Sequence, residues 1–347
     1  MVLALPAEAD RRTADPVTSA PDITLQSLRP DDDGQVEAAY LIASRCELDA
    51  VGWTDSTRES VRASLTSPDA WSDQHLLAIR AGQPVGLLVA ERDLDGREVF
   101  LDAYAVGQTA SVAQRALLER GLAAAGELAR AHPATVGSPP ADPYDLTPDI
   151  WQVVCASFAA DRAYAEVLSS LGFRPIRRFW RMLLDLASVS PTEPPAPAGV
   201  SRRVASGDQD RRVLHALFTA SFAEHFGTHE RAFDEWIASV EALPGTDPDR
   251  WWIATLDGRD VGLCILDDSK AEFGEGYVRT LGVIESARGR GIGRWLLECA
   301  AADAVARGRT GLALAVDGEN TTGATALYES VGFATRQVID LWCCPIL

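Results

Sequence analysis

The chain has 347 residues, 47% of them hydrophobic, enough for two domains of ordinary size. Its formal net charge of −18 disfavours non-specific binding to nucleic acid or to anionic membranes, and no apolar run reaches the length of a membrane span. The six cysteines (Cys46, Cys155, Cys264, Cys299, Cys343, Cys344) show no C-x-x-C spacing, so neither a zinc site nor a disulfide framework is expected and the setting is read as cytoplasmic.

Residues 1–20 lack a basic stretch before their short apolar run and read as a loose tail rather than a signal peptide. Residues 22–29 (DITLQSLR) alternate like an edge strand, and the acids at 31–33 open a helix running to about Cys46. A second helix over 57–65 ends near Pro68, and residues 75–80 and 85–91 around Ala81-Gly82-Gln83-Pro84 predict a hairpin. Another strand at 98–106 and a long Ala/Leu helix at 112–131 follow. Beyond a proline-broken loop come a strand at 153–158, a helix at 161–170 and a closing strand at 179–186.

The run Pro191-Thr192-Glu193-Pro194-Pro195-Ala196-Pro197-Ala198-Gly199 reads as a linker, placed at residues 189–199. Beyond it the pattern repeats: a strand at 199–203, helices at 208–226 and 233–241, then a hairpin of 251–256 and 261–266. Gly86 corresponds to Gly262, and Leu171-Gly172-Phe173 to Val331-Gly332-Phe333. This predicts an internal duplication, with residues 21–188 and 200–347 as tandem α/β domains, each a mixed, mostly antiparallel sheet flanked by helices. Two copies in one chain can bury against each other the face that a dimer would share, so a monomer is expected.

The copies differ in one stretch. In the second, Leu281-Gly282-Val283 runs into Arg288-Gly289-Arg290-Gly291-Ile292-Gly293-Arg294 and then an apolar helix. Glycines let backbone N–H groups approach an anion, a helix N-terminus adds partial positive charge, and the arginines add charge-assisted hydrogen bonds. No Gly-Lys-Ser/Thr follows, so this is not a Walker loop. The stretch resembles motif A of the GNAT superfamily of acyl-CoA N-acyltransferases, Arg288-x-x-Gly291-x-Gly293 matching its pattern. Asn320, Ala324, Leu327-Tyr328-Glu329 and Gly332-Phe333 resemble its motif B. The tandem layout is similar to that of superfamily members of the mycothiol-synthase type. The first copy reads Gly107-Gln108-Thr109-Ala110 at the corresponding junction and Val167 or Leu168 where Tyr328 stands, so it is expected to be catalytically silent.

The resemblance implies acetyl-CoA as co-substrate and no metal. Leu281, Gly282 and Val283 would hold the pantetheine arm, and Arg288, Gly289, Arg290, Gly291, Ile292, Gly293 and Arg294 the diphosphate. Asn320 and Ala324 complete the cofactor set. Tyr328 is the implied acid for the departing thiolate, since a phenol is neutral at pH 7 yet can donate. Related enzymes carry a Glu base at the position of Tyr277. Glu275 lies two residues earlier on the same strand face, so Glu275 is the first candidate base and Tyr277 the alternate. Gly282 fits a distortion of the strand here. Glu224, His225 and His229 lie in the segment between the first two helices and are the candidates for the acceptor side. The activity implied is N-acetyl transfer to a primary amine of a small metabolite, in a ternary complex. No Cys or Ser sits in a nucleophile motif. A longer acyl-CoA, a peptide or aminoacyl acceptor, or a non-catalytic acyl-CoA sensor are the alternatives.

Overall fold

The computed structural model describes residues 23–133, 142, 144, 146, 149–223, 231–320 and 323–346. The first half runs β1 (Ile23–Ser27), α1 (Asp33–Val51), α2 (Arg58–Leu65), β2 (Leu76–Arg80), β3 (Gln83–Asp93), β4 (Glu98–Ala105), α3 (Ala110–Ala131), β5 (Trp151–Phe158), α4 (Arg162–Ser170) and β6 (Arg174–Asp185). The second runs β7 (Val200–Val204), α5 (Gly207–Phe222), α6 (Phe233–Glu241), β8 (Thr246–Leu256), β9 (Arg259–Asp267), β10 (Glu275–Val283), α7 (Ile292–Ala306), β11 (Gly311–Asp317), α8 (Ala324–Val331) and β12 (Ala334–Ile346). Local chemistry sets several boundaries. The Asp32 carboxylate accepts from the N–H groups of Gly34 and Gln35, starting α1, and Gly52 ends it at φ 80°. Thr57 and Ser60 form a reciprocal capping box on α2.

The tandem fold has one feature that the sequence pattern does not announce. The two sheets are a single twelve-stranded sheet, ordered β1-β2-β3-β4-β5-β12-β6-β11-β10-β9-β8-β7. The last strand of each half is exchanged: β12 pairs with β5 of the first half, and β6 pairs with β11 of the second. The two exchanged strands also pair with each other. Each half therefore completes its sheet with a strand from the other.

Helices α3 and α7 cover one face, and two apolar clusters form there, one per half. Two smaller clusters lie beneath α1 with α2 and beneath α5 with α6. At the junction, Asp55 of the first half bonds Arg181 on β6 at 2.7 Å and Lys270 of the second half at 2.9 Å. Lys270 is the chain's only lysine. Burial pushes the Asp55 carboxyl up, but the two cations outweigh that and hold it below its ordinary value. The proline-rich segment is not a free tether. The Trp295 indole N–H donates to the Pro194 carbonyl at 3.1 Å, and Glu193 pairs with Arg202 at 3.0 Å, fixing the segment along α7.

Candidate active site

β10 and β11 run parallel and stay paired only from Glu275–Gly311 to Val278–Leu314. Beyond that pair they part. On its other edge β10 continues against β9 as far as Val283–Gly262, with one extra residue, Arg279, bulging between Val278 and Thr280. The Ile284 N–H bonds the Val261 carbonyl on β9. By the alternation of an antiparallel ladder, the backbone groups of Leu281 and Val283 face away from β9, into the wedge. A cleft of about 560 Å³ fills the wedge and reaches the first turn of α7.

Gly282 has a different reason from the one the sequence suggests. The distortion is at Arg279; Gly282 is needed because a Cβ there would lie 2.8 Å from both Leu263 Cδ2 and Ser221 Cβ. The residue lets α5 press against β10.

The far end of the cleft is a bare helix start. Gly289 and Gly291 have φ of 74° and 78°, a conformation that costs glycine least. Gly291 caps α7, no side chain among the described residues bonds the N–H groups of its first turn, and Trp295 N–H closes that turn on the Gly291 carbonyl. The N–H groups of Ile292, Gly293 and Arg294 are thus available to an anion. Gly293 lets α8 approach, since a Cβ would meet Leu327 Cδ2 at 3.2 Å. The arginines divide their work. Arg288 donates to the carbonyls of Val283 (3.1 Å) and Ser221 (3.3 Å), tying the turn to β10 and α5. Arg294 pairs with Glu298 at 2.9 Å. Arg290 is exposed and makes no ion pair among the described residues.

Tyr328 on α8 lines the cleft and is 9% exposed. Its ring lies 6.0 Å from that of Phe333. Burial pushes its hydroxyl up to about 12, so the phenol is neutral across the physiological range. Asn320 and Ala324 line the same cleft, as do Leu281, Gly282, Val283 and all of the turn residues from Arg288 to Arg294 except Arg290.

Glu275 and Tyr277 are not in this group. They border a separate chamber of about 20 Å³, together with Trp53, Asp55, Arg181, Lys270 and Arg336. The Glu275 carboxylate is paired with Arg336, whose guanidinium stacks on Trp53 at 3.5 Å. Burial pushes the Tyr277 hydroxyl up, only partly offset by Arg279, which lies over its ring at 4.6 Å. Glu224, His225 and His229 lie outside the described residues.

Among the lining groups that the sequence does not single out are Phe179, Arg279 and Asp317. Phe179 comes from β6, and only the strand exchange brings it here. Arg279 sits on the bulge and pairs with the buried Asp267 at 2.8 Å. Asp317 ends β11 and is held by Arg177 of β6 at 2.6 Å. The one sequence signal for Arg279 is a charge interrupting an apolar strand just before the glycine turn.

Comparison with known proteins points the same way. The model of the "Acetyltransferase (GNAT) domain" family matches residues 247–335. A mycothiol acetyltransferase of Streptomyces avermitilis is 34% identical over 184 residues, covering 52% of this chain and 56% of that protein. One from Frankia alni is 30% identical over 238 residues, covering 64% of this chain and 67% of that protein. The match to the Streptomyces relative thus spans little more than half of its length. Among solved structures, a GCN5-related N-acetyltransferase from Sphaerobacter thermophilus aligns over 94% of this chain and 97% of its own, with TM-score 0.76 at 20% identity. A tandem GNAT protein from the clavulanic acid biosynthesis pathway aligns over 94% and 99%, with TM-score 0.70 at 18% identity. At such identities the structures speak for the fold alone.

Proposed function

This chain belongs to the GNAT acetyltransferase family, and we propose that it transfers an acetyl group from acetyl-CoA to a primary amine of a small metabolite. The observation that carries the reading is the continuity of one cleft from the uncapped start of α7, along the wedge-facing backbone of β10, to the Tyr328 phenol. Acetyl-CoA, when bound, supplies an acyl group already activated as a thioester. The protein's part is to hold and polarise it. The N–H groups of Ile292, Gly293 and Arg294 take the diphosphate, and the backbone of Leu281 and Val283 takes the arm as a surrogate strand. A wedge-facing N–H near Leu281 polarises the thioester carbonyl.

The acceptor nitrogen attacks that carbonyl, a C–N bond forms, the C–S bond breaks, and no enzyme acyl intermediate is needed. No cysteine is among the residues lining the cleft. Tyr328 faces a limit set by its own burial. Burial pushes the Tyr328 hydroxyl up to about 12, above the range of an ordinary thiol, so complete transfer of its proton to the thiolate is uphill. Its role is therefore an O–H hydrogen bond to the sulfur as charge develops. The proton lost by the amine reaches the thiolate through water. Glu275 and Tyr277 border the separate chamber behind β10, and because Arg336 holds the Glu275 carboxylate, any part it takes in the proton's path runs through water. The chain works in the cytoplasm as a monomer, with neither metal nor nucleic acid.

The test is release of CoA thiol from acetyl-CoA in the presence of a panel of amines, alongside direct binding of CoA. Amine-dependent release is the expected result. Tight CoA binding with no release from any amine would turn the reading to an acyl-CoA sensor.

A further inference from the structure

The wedge has an end stop. The last cross-strand pair before β10 and β11 part is Val278 opposite Leu314. Both side chains line the cleft, yet only 5% of Val278 and 2% of Leu314 is exposed. Both belong to the apolar cluster that also contains Tyr328, Leu296 and Met182. A chain lying along β10 with its charged end at α7 runs its other end towards this pair. Beneath the pair there is packed core. On the opposite face of the sheet Leu314 also borders the chamber of about 20 Å³. That is room for about one water. Its walls carry Arg181, Lys270 and Arg336 against Asp55 and Glu275, so an aliphatic group entering it would strip water from charges.

We propose that the Val278–Leu314 pair fixes the length of the acyl group, admitting acetyl and rejecting chains of four carbons. This rests on the acetyl-CoA reading above and narrows its donor. A two-carbon acyl group ends before the pair. A four-carbon group must either displace Leu314 into close-packed core or cross into the charged chamber, and neither is open. Truncating Leu314 to Ala removes the three carbons beyond Cβ from the wall, leaving space for the two extra methylenes. Truncating Val278 opens the same spot from the other strand by a smaller amount.

The experiment is calorimetric binding of CoA, acetyl-CoA and butyryl-CoA to the full chain, to Leu314→Ala and to Val278→Ala, with a thermal melt to establish that each variant is folded. This readout needs no acceptor amine. For the unmodified chain, acetyl-CoA is expected to bind about as tightly as CoA and butyryl-CoA at least about tenfold more weakly, the discrimination that one or two methylenes provide in an apolar site. In Leu314→Ala the gap closes to within about threefold, with Val278→Ala intermediate. Butyryl-CoA binding to the unmodified chain as tightly as acetyl-CoA would overturn the proposal, and that result needs no variant. Folded variants that both keep the full discrimination would overturn it as well. Absence of CoA binding altogether would instead remove the acetyltransferase reading on which it stands.

Discussion

In the first half β4 and β5 stay paired as far as Phe100–Val154 and then part; in the second β10 and β11 stay paired as far as Val278–Leu314 and then part. The end of the ladder matches, Val106 N–H to the Val85 carbonyl corresponding to Ile284 N–H to the Val261 carbonyl, but β4 lacks the bulge that β10 carries at Arg279. The contents of the two wedges differ. In the first, Asp102 on β4 reaches across and accepts from the Ala156 N–H on β5 at 3.3 Å, and burial pushes its carboxyl up towards the neutral form. Tyr164, 4% exposed, belongs to the apolar core of the same half. Counting back from the glycine that follows each short helix, the position of Tyr328 is taken by Leu168, fully buried in core. In the second, the corresponding space is open and ends on a phenol. Splayed strands alone therefore do not make a binding site; the side chains that bridge them decide whether the gap is core or cleft.

The strongest way to break this comparison is to separate the halves. β6 walls the second half's cleft through Phe179 and anchors the end of β11 through Arg177, so residues 187–347 alone lack a wall and expose the β11 edge. That fragment is expected to lose amine-dependent CoA release entirely and to associate or aggregate, as read by thiol assay and size-exclusion chromatography. Co-expression with residues 1–186 should restore release. A second-half fragment with the full chain's activity would show that the exchange does not matter.

Next in size is the aromatic position. Tyr328→Phe should lower kcat by about 100-fold with little change in the KM for acetyl-CoA, whereas Leu168→Ala in the first half should change stability and not the KM for acetyl-CoA. In the proposed mechanism the neutral phenol is the working form, and burial pushes its hydroxyl up to about 12, so it is expected to add no limb to the pH–rate profile between pH 6 and about 10. The sign for stability follows from the same direction. A phenol raised from its ordinary value of about 10 contributes fully below pH 10, and the contribution is lost as pH climbs through about 12. An alkaline melting series on the native chain and on Tyr328→Phe measures that difference.

Much of this contrast was legible in the residues. Period-two runs, the hairpin glycines Gly86 and Gly262 and the repeated Gly-Phe ending marked the duplication, because local periodicity and turn chemistry act over a few residues. The turn from Arg288 to Gly293 was legible for the same reason. Phe179 was not, because pairing of β6 with β11 joins positions about 140 residues apart and strand order leaves no local signal. Gly282 was read as a bulge when its cause is a helix 61 residues upstream, Ser221 pressing on the strand. The pairing of Glu275 with Arg336 was likewise invisible: both are ordinary charges in sequence, and only the path of β12 brings them together.

That pair supports the smallest and sharpest prediction. Glu275→Gln keeps an oxygen that can accept from Arg336 but removes the charge, in a place where the carboxylate side chain is 9% exposed and its partner 29%. If Glu275 is chiefly a strut between β10 and β12, the cost falls on stability, about 1–3 kcal/mol for a weakened charge-assisted bond, and kcat changes by less than about threefold. If it takes the amine proton directly, kcat falls by about 100-fold or more and the acidic limb of the pH–rate profile moves. The first-half comparison makes the strut reading concrete. At the corresponding start of β4 stands Glu98, also buried and 7% exposed, in a half whose wedge is closed. An acid kept at the foot of both wedges, one open and one filled, serves something the two have in common, and what they have in common is the sheet.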